Sequence, residues 1–204
     1  MKKLILPLLA LTMMLAPKKS NAQAIEEGNV IIDAYYGFPN LYSTVFKAAY
    51  ESSNSTGELT LGSQGPLGIR AEYLITDKVG LGIDLGMNSS SMSYSEADIN
   101  NPNIIYDYKF TTRKIGAIFT FNYHFVENDK LDAYFVVGGG YGNRNFKFTS
   151  SDPNYDGESA ESIIPISYKI GVGMRYFFTE NIGTNLALGL GQGGLVNLGV
   201  SAKF

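Results

Sequence analysis

The sequence predicts an all-β fold, an eight-stranded antiparallel up-and-down β-barrel that crosses a membrane. Apolar residues alternate with other residues along nearly every stretch that is not turn-like, which is the period of a β-strand. No apolar run after residue 24 reaches the roughly 18 residues of a membrane-spanning helix. The chain is rich in glycine (23), tyrosine (14) and phenylalanine (12), and only 17% of its residues are charged, which suits a membrane barrel.

The first 24 residues are typical of a secretory signal peptide. Two lysines precede the apolar segment Leu4–Ala16, and small residues follow at Ala22 and Ala24. The apolar segment is shorter than the about 20 helical residues that span a bilayer, although a retained helical anchor is the alternative. We expect cleavage after one of the two alanines, so that 1–24 is removed and 25–204 forms one barrel domain.

The expected mature chain is acidic. Its first 24 residues hold four of the 16 lysines and arginines and none of the 19 acids, which leaves 12 bases, 19 acids and a net charge of −7. We therefore expect no nucleic-acid partner. The absence of cysteine excludes a lipoprotein anchor and a disulfide framework, so backbone pairing and burial must stabilise the fold.

The first three strands follow from alternation and from one short turn. Strand one runs near Gly28–Phe38, and the long polar segment Pro39–Gly65 follows it. Strand two begins near Leu67, and the turn Thr76–Lys78 leads directly into strand three. Strand three has two distinct faces, an apolar one and one of glycine, aspartate and asparagine; the apolar face consists of Val79, Leu81, Ile83, Leu85 and Met87.

Strand four is long, from about Ile104 to Phe125, and follows the serine- and asparagine-rich loop Asn88–Asn103. Aromatic residues near its start lie at even positions, whereas the apolar residues of its second half lie at odd positions. An extra residue would reset the alternation, so we predict a β-bulge within Thr111–Lys114. The remaining elements are the turn Glu127–Lys130, strand five (Leu131 to about Phe148), the polar loop Ser150–Glu161, strand six (Ile164–Tyr176), the turn Thr179–Asn181, strand seven (Ile182–Gly191), the turn Gln192–Gly194 and strand eight, ending at Phe204.

The connections alternate between long and short until the last hairpin, which is short. With both termini on one side, the short turns would face the periplasm and the long loops the cell exterior, as in outer-membrane barrels. A soluble barrel would point its apolar face inward. Here the other face mixes glycine with charges of both signs, so we expect the apolar face, with aromatic girdles at both ends, to meet lipid.

Nine charged residues lie on the predicted inner face. The interior of an eight-stranded barrel is just wide enough for side chains to fill, and buried ions must be paired. We therefore predict a lumen plugged by ion pairs, with a structural role; the alternative is a narrow porin or channel for small solutes or small hydrophobic molecules. The predicted network consists of Asp33, Arg70, Glu72, Asp84, Lys114, Asp132, Lys169, Arg175 and Lys203.

We expect no catalytic, cofactor or metal site. The single histidine, His124, lies beside a predicted periplasmic turn, where a hydrogen bond at the rim is the favoured role. Without cysteine or a better-placed histidine, triad chemistry lacks its base, and only a carboxylate-based enzyme stays open. The segment Asp152–Gly157 resembles half of a calcium loop, but its twelfth position is Ile163 instead of glutamate, so we favour an ordinary turn.

A surface function would lie in the loops. The aromatic segment Leu41–Tyr50 is expected to cap the barrel mouth, with ligand contact as the alternative. Strands four, five and six exceed the roughly 9–11 residues that cross a bilayer, so their surplus should project as a sheet. The edge of such a sheet could accept a strand from an extracellular protein, which favours a surface-interaction or adhesion-like role over mere stiffening of the loops.

The chain resembles the small outer-membrane β-barrel family, the OmpA/OmpX-type eight-stranded barrels. The resemblance covers residues 25–204. The segment Gly173–Gly183 and the last strand are especially similar to porin-family members from Bacteroidetes. The aromatic terminus, Phe204, resembles the assembly signal of such barrels. The resemblance implies a monomer in the bacterial outer membrane with both termini in the periplasm, inserted by the barrel-assembly machinery and surrounded by lipid and lipopolysaccharide, with an extracellular protein or surface ligand as a further partner.

Overall fold

The computed structural model describes residues 23–52, 59–126 and 128–204, so the expected signal peptide lies outside the described residues except for Gln23 and Ala24. Within those ranges, no helix is both long and apolar enough to cross a bilayer. The elements are β1 (Val30–Phe38), α1 (Leu41–Ser52), β2 (Thr60–Thr76), β3 (Val79–Ala97), β4 (Ile105–His124), β5 (Leu131–Ser150), β6 (Glu158–Glu161), β7 (Ile166–Phe177), β8 (Ile182–Gly191) and β9 (Val196–Lys203).

Eight strands close into an antiparallel barrel. Strands β1 to β5 and β7 to β9 pair in sequence order, and β9 pairs with β1 to complete the cylinder. At that closure Val30 and Phe204 exchange two backbone hydrogen bonds of 2.9 Å. One additional short strand, β6, is not part of the barrel wall and pairs with β5 beyond the end of β7. The predicted eight-stranded up-and-down barrel is confirmed.

The two ends of the barrel differ. The turn end holds the short connections from β2 to β3, from β4 to β5 and from β7 to β8, together with Ala24 and Phe204. The loop end holds α1, the long connections and the short turn 192–195 between β8 and β9. At the turn end a small apolar core fills the interior, formed by Ala24, Ile25, Ile31, Leu74 and Phe177. Ala24 and Ile25, which precede β1, therefore fold back into the barrel.

One half of the wall rises above the other at the loop end. Strands β2 to β5 have 17, 19, 20 and 20 residues, whereas β1, β7, β8 and β9 have 9, 12, 10 and 8. The surplus predicted for strands four and five is present, but the surplus predicted for strand six is wrong, and β2 and β3 are extended instead. The predicted loops were too long because Ser89–Ala97 continues β3 in pairing with β4, and Glu158–Glu161 forms β6. Strands beyond the lipid can be polar on both faces, so alternation does not reveal them.

The predicted β-bulge within Thr111–Lys114 is wrong. The register of β4 with β3 is constant from Val79↔Tyr123 to Ala97↔Ile105, and its register with β5 is also unbroken. Even-numbered residues of β4 face the interior along the whole strand, and the interior changes from polar to aromatic at the loop end. The irregularities lie in β2 instead, beside Gly65–Pro66 and near Leu74.

The polar face of the strands is the inner one, as predicted. Asp33, Arg70 and Arg175 are fully buried, whereas Phe119 on the other face is 73% exposed and Leu85 is 54% exposed. An apolar outer surface around a polar interior is the arrangement of a barrel whose solvent is lipid.

Candidate functional site

The interior at the middle of the barrel holds a group of buried ionised side chains, which we call the ion-pair cluster. Its members come from six strands, because each strand points every second residue inward. Each is exposed by at most 3%. The cluster consists of Asp33, Arg70, Glu72, Asp84, His124, Asp132, Lys169 and Arg175.

Arg175 is the centre of the cluster and binds three carboxylates from three strands. Its Nη2 lies 2.8 Å from Asp33 Oδ2 and 2.6 Å from Glu72 Oε2, and its Nη1 lies 2.8 Å from Asp132 Oδ2. The guanidinium also lies over the ring of Tyr134, 4.4 Å from its centroid. Glycine at position 173 makes this possible, because a Cβ there would collide with the Tyr134 ring. This one arginine ties β1, β2, β5 and β7 together across the lumen.

A second set of contacts surrounds Asp84. Lys169 Nζ lies 2.7 Å from Asp84 Oδ2, and the Tyr35 hydroxyl donates to Asp84 Oδ1 at 2.7 Å. Arg70 lies between two carboxylates, its Nε 3.6 Å from Asp33 and 3.8 Å from Asp84. The register explains this position, since Asp33, Arg70 and Asp84 are direct neighbours across β1, β2 and β3.

His124 belongs to the cluster, and its predicted place at the rim is wrong: only 1% of the residue is exposed. Its Nδ1 lies 2.7 Å from Asp132 Oδ1 and its Nε2 lies 2.9 Å from Glu72 Oε1. Ionised carboxylates only accept hydrogen bonds, so both ring nitrogens donate and the imidazole is cationic. The cluster then holds four cations and four anions. The even position of His124 on β4, shared with the inward Asn122, was the signal that could have placed it inside.

Two of the nine residues expected in the network lie apart from the cluster. At the turn end, Lys203 Nζ donates to the backbone oxygen of Ala24 at 2.7 Å. Toward the loop end, Lys114 Nζ donates to the Ser167 hydroxyl at 3.0 Å. The structure thus brings together seven of the nine residues and adds His124.

Gln192 separates the cluster from the loop end of the lumen. Its Nε2 donates to the backbone oxygen of Asp84 at 2.8 Å and to Asp84 Oδ1 at 3.0 Å, and its Oε1 accepts from Ser167 at 3.2 Å. Gly86 and Gly116 leave the space that its side chain occupies. From the sequence this residue was only part of a tight turn. In the structure it is 6% exposed and lies across the lumen.

Above Gln192 lies a cavity of about 260 Å³, which we call the mouth pocket. Most of its lining is apolar, including Pro39, Leu41, Pro66 and Leu195; Leu67, Met87 and Leu190 also border it but occupy outward-facing positions of their strands. Its charged members are Lys114 and Arg144. Helix α1 contributes Tyr42, whose ring centroid lies 3.7 Å from Arg144 Cζ.

Helix α1 caps the mouth, as expected for the aromatic segment of the first loop. Phe46 is its buried residue and packs edge-on against Phe110 of β4, with 5.2 Å between the ring centroids. Tyr42 lies 6.5 Å from Phe146 of β5. These rings fill the loop end of the interior, which explains why β4 carries inward aromatic residues there.

At the loop connecting β5 and β6, Asp152 accepts a hydrogen bond from the backbone N–H of Asn154 at 2.8 Å, as in an ordinary turn.

The family comparison agrees with this architecture. A family model described as "Outer membrane protein beta-barrel domain" matches residues 6–203. The N-terminal β-barrel domain of Pseudomonas aeruginosa OprF is 20% identical, with 88% of this chain and 100% of that chain covered and a TM-score of 0.44. Pseudomonas aeruginosa OprG is 13% identical, with 90% and 99% covered and a TM-score of 0.46. The attachment invasion locus protein Ail of Yersinia pestis, in complex with the heparin analogue sucrose octasulfate, is 15% identical, with 87% and 99% covered and a TM-score of 0.44. No curated protein matches the chain.

Proposed function

We propose that this chain, which belongs to the outer membrane protein β-barrel domain family, is a closed barrel that serves the bacterial surface through its loop end. Its barrel is the membrane-embedded support, and the function is structural or adhesion-like, without turnover chemistry. The rival function is a narrow channel for small solutes or small hydrophobic molecules.

The charge balance of the ion-pair cluster is the observation that supports a closed barrel. Four carboxylates face four cationic groups, and all are buried. Removing one partner of a buried ion pair costs about 3–5 kcal/mol, because the other charge stays buried without compensation. A conducting path would have to disrupt several such pairs at once. Gln192 lies across the lumen above them, and the apolar core lies below them.

The surface role is supported by the raised half of the wall. Beyond the end of β1, the Thr60–Gln64 part of β2 pairs with β3 alone among the described residues. On the other side, all four residues of β6 are exposed. An exposed strand edge can bind an extended segment of another protein by adding a strand to the sheet. The free edges and the aromatic interior between them make the loop end the place where an extracellular partner would bind.

We also propose the orientation and processing that this role requires. The turn end would face the periplasm, and the chain would be a monomer inserted by the barrel-assembly machinery among lipid and lipopolysaccharide. Cleavage after Ala22 fits the structure better than cleavage after Ala24, because Ala24 is 2% exposed and its backbone bonds both Asn128 and Lys203. The mass of the mature protein would test this: Gln23 is the expected first residue, and Ile25 would contradict it.

Planar-bilayer recording tests the closed barrel. Purified full-length mature protein is expected to give no reproducible open state, and Lys203→Met, which leaves the cluster intact, should behave in the same way. Reproducible single-channel steps of the unaltered protein would overturn the closed barrel and favour the channel.

Cell attachment tests the surface role separately. Cells that carry the protein should attach better to a surface coated with serum proteins than cells without it. Ala160→Pro would disturb the exposed edge of β6 and should reduce attachment, whereas Val45→Ala on the exposed face of α1 should not. Equal attachment with and without the protein would contradict an adhesion-like role.

A further inference from the structure

Two cations face each other in the mouth pocket. Lys114 of β4 and Arg144 of β5 are direct partners in the strand register, and both line the cavity. Like charges directly opposite each other on antiparallel strands destabilise the pairing. The barrel therefore keeps an unfavourable pair at this position.

Neither cation has a carboxylate partner among the described residues. Lys114 donates to the Ser167 hydroxyl at 3.0 Å, and Arg144 donates to the Thr112 hydroxyl at 3.1 Å. Both acceptors are neutral. In the ion-pair cluster, by contrast, every lysine and arginine lies within 4.0 Å of a carboxylate. The mouth pocket thus carries two positive charges that no carboxylate of the described residues neutralises.

The rest of the pocket is mainly apolar and is closed below. Pro39, Leu41, Pro66 and Leu195 line it together with the polar residue Asn88, and Gln192 separates it from the cluster. The volume of about 260 Å³ is slightly below the roughly 300–1,000 Å³ of sites for drug-sized ligands. A pocket of this size and lining suits a small molecule with an apolar body and one charged end.

We propose that the mouth pocket binds a small organic anion, whose carboxylate or phosphate lies between Lys114 and Arg144 and whose apolar body contacts Pro39, Leu41, Pro66 and Leu195. The anion would relieve the repulsion between the two cations through charge-assisted hydrogen bonds. Because Gln192 closes the pocket, the ligand is held and does not pass into the lumen. This site goes beyond the proposed surface function and does not depend on it.

Methyl NMR of the full mature protein in phosphatidylcholine nanodiscs tests the site. The probe is cyclohexanecarboxylate, and the matched neutral probe is cyclohexanecarboxamide. The carboxylate should shift the methyl signals of Leu41 and Leu195 in a saturable manner, and the carboxamide should not. Equal saturation by both probes, or no saturable shift with the carboxylate, would overturn the proposal.

Variants locate the anion. Lys114→Gln should weaken carboxylate binding about tenfold or more, the effect of losing one charge-assisted hydrogen bond. Lys114 bonds Ser167 of β7, whereas Arg144 lies against Tyr42 of α1, so Lys114→Gln tests anion binding and Arg144→Gln would also change the capping of the mouth. Arg113→Gln removes a charge from the exposed neighbour of Lys114 and should leave binding unchanged. Unchanged binding in Lys114→Gln would contradict the site.

Two further titrations identify the source of the anion. Inorganic phosphate should bind more weakly than the carboxylate, since it has no apolar body to contact the apolar lining. Equal or tighter binding of phosphate would overturn the proposal that the ligand is amphiphilic. Nanodiscs that contain phosphatidylglycerol distinguish a lipid from a soluble ligand. If the anionic lipid alone shifts the methyl signals of Leu41 and Leu195, the site takes a lipid headgroup. If it does not, and the carboxylate still binds, the ligand is soluble; both results support the shared chemistry.

Discussion

The ion-pair cluster and the mouth pocket lie on the inner faces of the same strands, yet their charges are arranged in opposite ways. In the cluster, Arg70 stands between Asp33 and Asp84 in the strand register, so that opposite charges are neighbours. In the pocket, Lys114 stands opposite Arg144. Among the described residues, the cluster holds as many anions as cations, whereas the charged groups of the pocket are both cations. The neutral cluster needs no ligand, whereas a pocket with two cations and no carboxylate partner in the described part of the chain has the electrostatics of an anion-binding site.

The packing of the two regions differs as well. Ionised groups linked by hydrogen bonds fill the middle of the barrel, while the aromatic rings of α1, β4 and β5 fill the loop end. Ion pairs across the lumen connect six of the eight barrel strands, whereas α1 packs on the barrel through one face. We therefore expect the middle of the barrel to unfold only together with the whole barrel, whereas α1 should open locally while the barrel stays folded.

Replacing the central arginine should give the largest effect. Arg175→Met leaves three buried carboxylates without their shared partner and should lower the free energy of unfolding by about 3–5 kcal/mol. Urea unfolding in lipid vesicles would measure it. Lys203→Met is the control, because Lys203 lies at the turn end and donates to a backbone oxygen. A loss no greater than that of the control would mean that the cluster does not hold the barrel together.

The histidine should have the second largest effect. His124→Gln cannot supply two charged donors, and the loss of one charge-assisted contact costs about 1.5–3 kcal/mol of unfolding free energy. In the unaltered protein, ¹⁵N NMR should show a proton on both ring nitrogens of His124. A spectrum with one protonated nitrogen would contradict the balance of four cations and four anions.

The cap should respond locally. Phe46→Ala removes the buried ring of α1, so hydrogen exchange of the α1 backbone should become faster while urea unfolding of the barrel stays the same. Val45→Ala is the matched control, because Val45 is 60% exposed. Loss of barrel stability in Phe46→Ala would show that the two regions form one cooperative unit.

The smallest expected effect has the opposite sign. Lys114→Gln removes one of two facing cations, so without ligand the free energy of unfolding should rise by a few tenths of a kcal/mol, at the low end of the about 0.2–1 kcal/mol range of cross-strand pairs. Arg113→Gln should leave it unchanged. A clear loss of stability in Lys114→Gln would mean that the lysine serves the fold and has no need of an anion.

The barrel could be predicted from the sequence because contact with lipid on one face of each strand requires a regular alternation of apolar residues. Strand β3 alternates between leucine or isoleucine and glycine or aspartate, since each residue meets either lipid or the lumen. The same alternation identified Asp33, Arg70 and Arg175 as inward residues. Alternation failed at Ser89–Ala97, because beyond the lipid both faces of a strand can be polar. It also failed at Thr111–Lys114, where inward aromatic residues were taken for outward ones and a β-bulge was predicted to reconcile the two halves of the strand.

By itself, then, the sequence determined which residues point into the barrel and which point away, because a period of two follows from the geometry of a single strand. Only the tertiary structure decided which inward residues meet. Closing the barrel brings Arg175 of β7 to Asp33 of β1 and Glu72 of β2, far apart in the chain. It also sets Lys114 against Arg144, places Gln192 across the lumen and folds α1 over the mouth. These contacts depend on register and curvature, which the alternation of one strand does not encode.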